Sequence, residues 1–374
     1  MEKQNVSENP EIITPEETVA LVAERVSDVV IKAWKNRKAG SFVNAFGRAP
    51  VGMCRRATCS DGSAQMWGET NQAAFHSVEG GSDTGIELLY VFDENKELKG
   101  IVVNLACPAQ CVQHRLFVSP DFWGEVKVRL RKRFGENIFL LPLCSATGDQ
   151  CPVDIIRWVE PESDVNDPNI DRKYPLKRKA GHSMFDLDGM KLTGRRISKE
   201  IIAVCDDGLD APCDDAGFVH HVKLLDPPIR RATLKEAAEA RKAIDDYLSK
   251  KEGDVDYIDA AKLQVHMGIL KRIELQNMQD ILENEIHVVR LGTVAFATNP
   301  FELFLDYGNQ IKARSHDEQT FIVQLACGSN GYLPTEKAEK GGHYSAFISS
   351  ALVGHEGGDM LVCETLNEIN GKLF

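Results

Sequence analysis

Residues 138–152, running from Ile138 to Pro152, constrain the chain more than any other stretch. The first six residues form an apolar run without alternation, which predicts a strand buried on both faces. From Cys144 onward the chain turns small and polar, with Gly148, Asp149, Cys151 and Pro152. A buried strand that ends in such a loop is where α/β enzymes place reactive groups. The same residues also suit an ordinary strand-end turn holding a buried free thiol. The local sequence leaves both readings open.

The neighbouring patterns supply a frame for that strand. Residues 87–92 and 101–107 read as strands joined by Asp93-Glu94-Asn95. Ser119-Pro120 opens a helix with Phe122, Val126, Leu130 and Phe134 on one face. Strand 101–107, helix 120–134 and strand 138–143 therefore predict a right-handed parallel βαβ unit. Near the N-terminus, Thr14-Pro15-Glu16-Glu17 is a helix start with a capping box. Val19, Val22, Val26, Val29, Val30, Ala33 and Trp34 follow at helical spacing, so 15–37 is read as an amphipathic helix. Residues 41–68 read as irregular loop with short strands. Residues 154–230 read as an irregular, insertion-like region with one helix near 196–204. Helical patterns at 233–250 and 255–284 precede a strand at 288–298, a helix near 302–314, a strand at 321–326 and a last helix at 357–368. No internal repeat, low-complexity segment or flexible linker is visible. The expected class is α/β, a layered mixed sheet with flanking helices, in a single domain over 1–374.

Composition narrows the partners. A net charge of −12 argues against nucleic acid, and the short basic runs 129–133 and 173–179 read as solvated surface. The ten cysteines include no CxxC pair and no short regular framework, so free thiols in a reducing compartment are expected. The polar, acidic N-terminus is no signal peptide. No apolar run approaches the roughly 18 residues of a membrane span. A cytoplasmic location follows as the expectation. The histidines form neither HxH nor HExxH, so spacing alone points to no metal site.

Four places carry polar residues that a core would not choose: Cys107, the 148–152 loop, Glu302 and Tyr332. Singly, each has a plain reading. Cys107 suits a small buried apolar position, Glu302 the first turn of a helix, and Tyr332 a turn after Asn330-Gly331. Together they resemble the catalytic domain of the neutral, non-lysosomal ceramidases and their bacterial relatives. Those are zinc-dependent amidases with a serine nucleophile in a Gly-Asp/Asn-x-Ser-Pro loop. Gly148-Asp149-Gln150-Cys151-Pro152 resembles that loop, with Cys151 in the serine place. Asn104-Leu105-Ala106-Cys107-Pro108 is similar to the strand end that carries a histidine zinc ligand. Cys54-Arg55-Arg56 resembles the family's Asn-Arg element, with Arg55 in the place of the active-site arginine. Pro300-Phe301-Glu302 resembles the Pro-Gly-Glu segment that gives a carboxylate ligand. Tyr332 and Tyr344, twelve apart, match in spacing a zinc-binding tyrosine and a second one near the scissile amide.

The resemblance spans residue 12 to the C-terminus. It implies a ceramidase-like catalytic fold and a metal-dependent amidohydrolase that cleaves an N-acyl, lipid-like amide. On that reading Cys151 attacks or positions water, with Asp149 beside it, while Tyr344 and Arg55 stabilise the oxyanion. Zinc is expected on Cys107, Glu302 and Tyr332. Three departures accompany the match. No residues correspond to the family's leading His-x-His segment, the second histidine ligand is Cys107, and the immunoglobulin-like domain of the animal enzymes has no counterpart. Two alternatives therefore stand beside the amidohydrolase: a degenerate, non-catalytic family member and a metal-independent cysteine hydrolase. Oligomeric state stays open.

Overall fold

A computed structural model of the chain describes residues 13–156, 158–159, 179–180 and 185–371. It begins with helix α1 (Pro15–Lys35), whose capping box is formed as expected: Thr14 accepts from the Glu17 N–H, and Glu17 accepts from the Thr14 N–H. Its apolar stripe is nevertheless exposed along its whole length, and none of its residues is buried.

The rest is built from two sheets of the same design. The first has the order β1 (Gly40–Arg48), β2 (Gly85–Asp93), β3 (Leu98–Leu105), β4 (Phe139–Cys144). Two antiparallel pairings are followed by a parallel one, reached through α2 (Phe122–Phe134). The βαβ unit read from the sequence is thus present. Asp121 caps α2 by accepting from the Phe122 N–H, and Arg131, Lys132 and Arg133 in the last turn complement its dipole. After α3 (Asp186–Asp206), the second sheet has the order β5 (Phe218–Leu225), β6 (Asn284–Leu291), β7 (Val294–Thr298), β8 (Gln319–Val323). Again two antiparallel pairings precede a parallel one, here reached through α6 (Leu305–Arg314). Helices α4 (Leu234–Leu248) and α5 (Tyr257–Leu275) form a hairpin between β5 and β6. Helices α7 (Glu336–Gly341) and α8 (His355–Asn370) follow β8.

Alternation along the strands sorts side chains into three apolar layers. Leu88, Tyr90, Ile101 and Val103 meet α2 and α3 through Phe122, Val126, Leu130, Ile197 and Ile201. On the other face, Leu89, Val102 and Leu143 meet Val294, Phe296 and Phe321 of the second sheet. Behind that sheet, Ile286, Val288, Ala297 and Ile322 meet Tyr307 and Ile311 of α6 and Leu361, Val362 and Leu366 of α8. The result is a helix–sheet–sheet–helix stack. Among the described residues no helix is long and apolar enough to cross a membrane, and all ten cysteines are free thiols.

Several expectations need correcting. Strand β4 is not buried on both faces: it lies at a sheet edge, and the second sheet covers Leu143 but leaves Phe139 75% and Leu141 54% exposed. The polar residues 145–150 that follow are the buried ones. The tract 41–68 holds all but the first residue of the nine-residue strand β1. The single strand read at 288–298 is a hairpin, because Gly292 turns the chain with φ of 61°. The helix read near 196–204 starts earlier, at Asp186. Within 154–230, residues 157, 160–178 and 181–184, and with them most of the 173–179 basic run, lie outside the described residues.

Where the two sheets' loops meet, the contact is made by buried polar groups. The Gln324 Oε1 accepts from the Thr147 N–H (3.0 Å) and the Leu303 N–H (3.2 Å), and its Nε2 donates to Thr147 Oγ1 (2.8 Å). The Gly148 N–H donates to the Leu303 carbonyl at 2.7 Å, and a Cβ on Gly148 would collide with the Glu302 carbonyl oxygen. Replacing Gln324 by Leu strands two buried N–H donors. Gln324→Leu is expected to lower the unfolding free energy by about 2–4 kcal/mol, measured as a shift of the urea unfolding midpoint at unchanged slope.

Candidate active site

Adjacent residues of an extended chain point to opposite sides, and Arg55 and Arg56 use this to do different work. Arg56 is fully buried and paired with Glu79, with Nε–Oε2 at 2.5 Å and Nη2–Oε1 at 3.1 Å. Its remaining N–H groups donate to the carbonyls of Ala338, Gly342 and Tyr344 and to Ser345 Oγ. Those acceptors surround Tyr344, which stands between two left-handed residues, His343 (φ 72°) and Ser345 (φ 71°). Such conformations cost about 1–3 kcal/mol each and persist only where the surroundings hold them. Arg56 is one holder. The Met66 N–H, which donates to His343 Nδ1 at 3.0 Å, is another. Burial and the Arg56 charge depress the His343 pKa, so its ring stays neutral.

Arg55 points the other way. Its Nη2 donates to the Gly148 carbonyl at 3.1 Å and to Tyr332 Oη at 3.4 Å, while its buried Nε has no partner among the described residues. Tyr332 Oη is 3.2 Å from Tyr344 Oη, and the two rings meet edge to face with centroids 5.5 Å apart. Trp67 lies beneath the guanidinium, its ring centre 5.6 Å away. Burial pushes the Tyr332 phenol far above its usual pKa, more than Arg55 pulls it down, so it remains a donor. Tyr344 is 43% exposed and opens this group to the surface.

Glu302 and Tyr332 are register partners in a short parallel pairing of 302–303 with 332–333, which sets their side chains on one side. Glu302 thus sits on a strand rather than in the first turn of α6, which begins at Leu305. Asp149 is buried, and its Oδ1 accepts from the Leu305 N–H at 2.9 Å, closing the N-terminus of that helix. Burial outweighs that hydrogen bond and pushes its carboxyl up to about 6. The Asp149 carbonyl in turn accepts from the Arg55 N–H at 2.9 Å. Cys151 pairs with Met53 in a short antiparallel contact and is fully buried, its thiol 3.2 Å from the Val153 carbonyl. Burial pushes that thiol up to about 12 against the opposing pull of Arg55.

The structure therefore gathers Arg55, Tyr332, Tyr344 and Glu302, with Asp149 and Cys151 on the loop behind Arg55. Cys107 is buried just beyond the end of β3. Its sulfur lies 3.3 Å from the Val51 carbonyl. Burial holds that thiol protonated. A buried, protonated Cys107 thiol and a Tyr332 phenol that already faces the Arg55 cation do not suit a zinc ion as they stand. Among the described residues, the group of His, Cys, Asp or Glu donors close enough to share an ion is Glu285, His287 and Cys327. Sequence reasoning also passed over Gln324, Glu79 and Trp67. Glu79 and Trp67 carry no motif, and their partners Arg56 and Arg55 lie on a different short strand or loop.

No family model matches the chain, and no curated protein matches it. Solved structures do. Neutral ceramidase from Pseudomonas aeruginosa superposes on 94% of the chain with a TM-score of 0.59 and 12% identity. A ceramidase complexed with C2 gives the same TM-score, coverage and identity. The chain spans just over half the length of these two structures, 55% and 56%. At that identity the likeness is one of fold, and it agrees with the fold read from the sequence.

The Asp149 carboxyl supplies a pH test of this geometry. Its folded pKa is raised, so its contribution to stability is complete below about pH 4 and is lost as pH climbs through about 6. Asn at this position can still accept from the Leu305 N–H but does not titrate. Asp149→Asn is therefore expected to gain stability relative to the parent between pH 4 and 6, by on the order of 3 kcal/mol, in urea unfolding followed across that range.

Proposed function

We propose that the chain is an amidohydrolase acting on an N-acyl, lipid-like amide at the group formed by Arg55, Tyr332 and Tyr344. The observation that carries this reading is the unsatisfied donor capacity of Arg55. A buried guanidinium nitrogen without a partner is costly unless something arrives to accept from it. Two phenolic hydroxyls stand beside it, within 3.4 Å of one another or of the guanidinium. The choice of an amide, and of a lipid-like acyl chain, rests on the fold shared with ceramidases.

In this reading the substrate carbonyl oxygen accepts from Tyr332 and Tyr344, and the Arg55 charge favours the oxyanion as it develops. Cys151 gives its proton to Asp149, which is pushed to about 6 and can hold it. The sulfur bonds to the carbonyl carbon, and the C–N bond breaks as Asp149 returns the proton to the departing amine. Water then splits the thioester, releasing the carboxylic acid and restoring the thiol. Glu302 lies beside Tyr332 and orients the amine half of the substrate.

One observation favours a second reading, a binding protein without turnover: the Cys151 thiol is fully buried and held near the Val153 carbonyl. Hydrolysis of a fluorogenic N-acyl amide decides between the two. Tyr332→Phe is expected to lower kcat/KM by about 100-fold or more, and Cys151→Ala to abolish turnover. A parent protein that binds N-acyl amides but hydrolyses none would establish the binding reading.

A further inference from the structure

We propose that Glu285, His287 and Cys327 form a binding site for a zinc-class divalent ion, separate from the Arg55–Tyr332 group. One oxygen, one imidazole nitrogen and the sulfur of these residues all lie within 4.8 Å of one another. Glu285 and His287 are two apart on β6 and so share a face. Cys327 reaches them from the loop after β8, at a left-handed residue with φ of 60°. The mixture of thiol, imidazole and carboxylate suits zinc or cobalt, whereas magnesium and calcium select oxygen alone.

The imidazole is already oriented. His287 Nε2 lies 3.0 Å from Glu285 Oε1, and its Nδ1 lies 2.8 Å from His220 Nε2 on the adjacent strand β5. The His287 N–H donates to Thr298 Oγ1 on β7, fixing the backbone beneath. A ligating histidine needs its second nitrogen held, and His220 does this. On binding, the ion replaces the proton between His287 Nε2 and Glu285. That proton is released or moves to the His287 Nδ1–His220 pair, and Cys327 gives up its thiol proton to solvent. Affinity therefore falls as pH falls. Three protein donors leave one tetrahedral position for water. The ion would also join β6 to the loop that leads into Tyr332, alongside the hydrogen bond from Asn330 Nδ2 to Asn284 Oδ1.

The test is a cobalt(II) titration of the full, chelator-stripped chain. One ion per chain is expected to give a thiolate-to-cobalt charge-transfer band and the visible bands of a tetrahedral ion, both abolished by added zinc. Cys327→Ser and His287→Gln are expected to remove the charge-transfer band or weaken binding about tenfold or more. Cys363→Ser, remote from the site, and Tyr332→Phe are expected to leave both unchanged. Absence of cobalt binding by the parent, or a charge-transfer band that survives Cys327→Ser, would overturn the proposal. The Tyr332→Phe control keeps this outcome separate from the fate of the hydrolase reading.

Discussion

The buried amide of Gln324 is the point on which the two sheets agree. It joins the loop after β4 to the chain after β7 through N–H donors of Thr147 and Leu303 that water cannot reach. Gly148 completes the seam, because any larger residue there would push Glu302 away. Arg55, Glu302 and Tyr332 of the candidate site hang from one side of this seam or the other. Arg55 reads the Gly148 carbonyl from one side, and Tyr332 pairs with Glu302 on the other. Catalytic geometry tolerates errors of well under an ångström. On the proposed chemistry, the seam thus matters to the site as much as to the fold's stability.

Each sheet delivers the carboxyl ends of its two parallel strands toward that seam, which is the usual address of an α/β site. In the first half these ends carry Cys107 and the 148–151 loop; in the second they carry Glu302 and the loop that runs through Cys327 to Tyr332. The two halves share strand order and direction, yet the sequence shows no repeat. Each layer demands only apolar residues at alternating positions, and Leu88, Ile101 and Val103 meet that demand as well as Ile286, Val288 and Ala297 do.

What could be read from the sequence was whatever is local. The α1 capping box spans four residues, and the βαβ unit declares itself through a helix-period face between two apolar runs. The candidate site residues are carried by short motifs in a fixed order. What escaped depends on distant partners. Strand β1 hid among Gly and Arg residues because its pairing with β2, some forty residues away, makes it a strand. Strand β4 looked buried because its apolar run is unbroken, but cover is set by how far the second sheet extends. Arg56 and Gln324 look like surface residues until acceptors and donors well over a hundred residues away in the chain enclose them.

The two sides of the proposed chemistry are unequally prepared. For the electrophile, the Tyr332 phenol is held protonated, Arg55 holds an idle donor, and neighbouring Arg56 rigidifies the loop behind Tyr344. For the nucleophile, burial has raised the Cys151 thiol from 9.0 to about 12, so forming the thiolate costs roughly 4 kcal/mol more than in an ordinary thiol. Arg55 opposes this shift without overcoming it, because desolvation of the whole thiolate outweighs attraction to one cation already shared with Gly148 and Tyr332. A carbonyl that drew Arg55 toward its developing oxyanion would weaken that opposing pull further. On the proposed chemistry, thiolate formation is the step that limits turnover, and the site is better prepared to hold a carbonyl than to attack one.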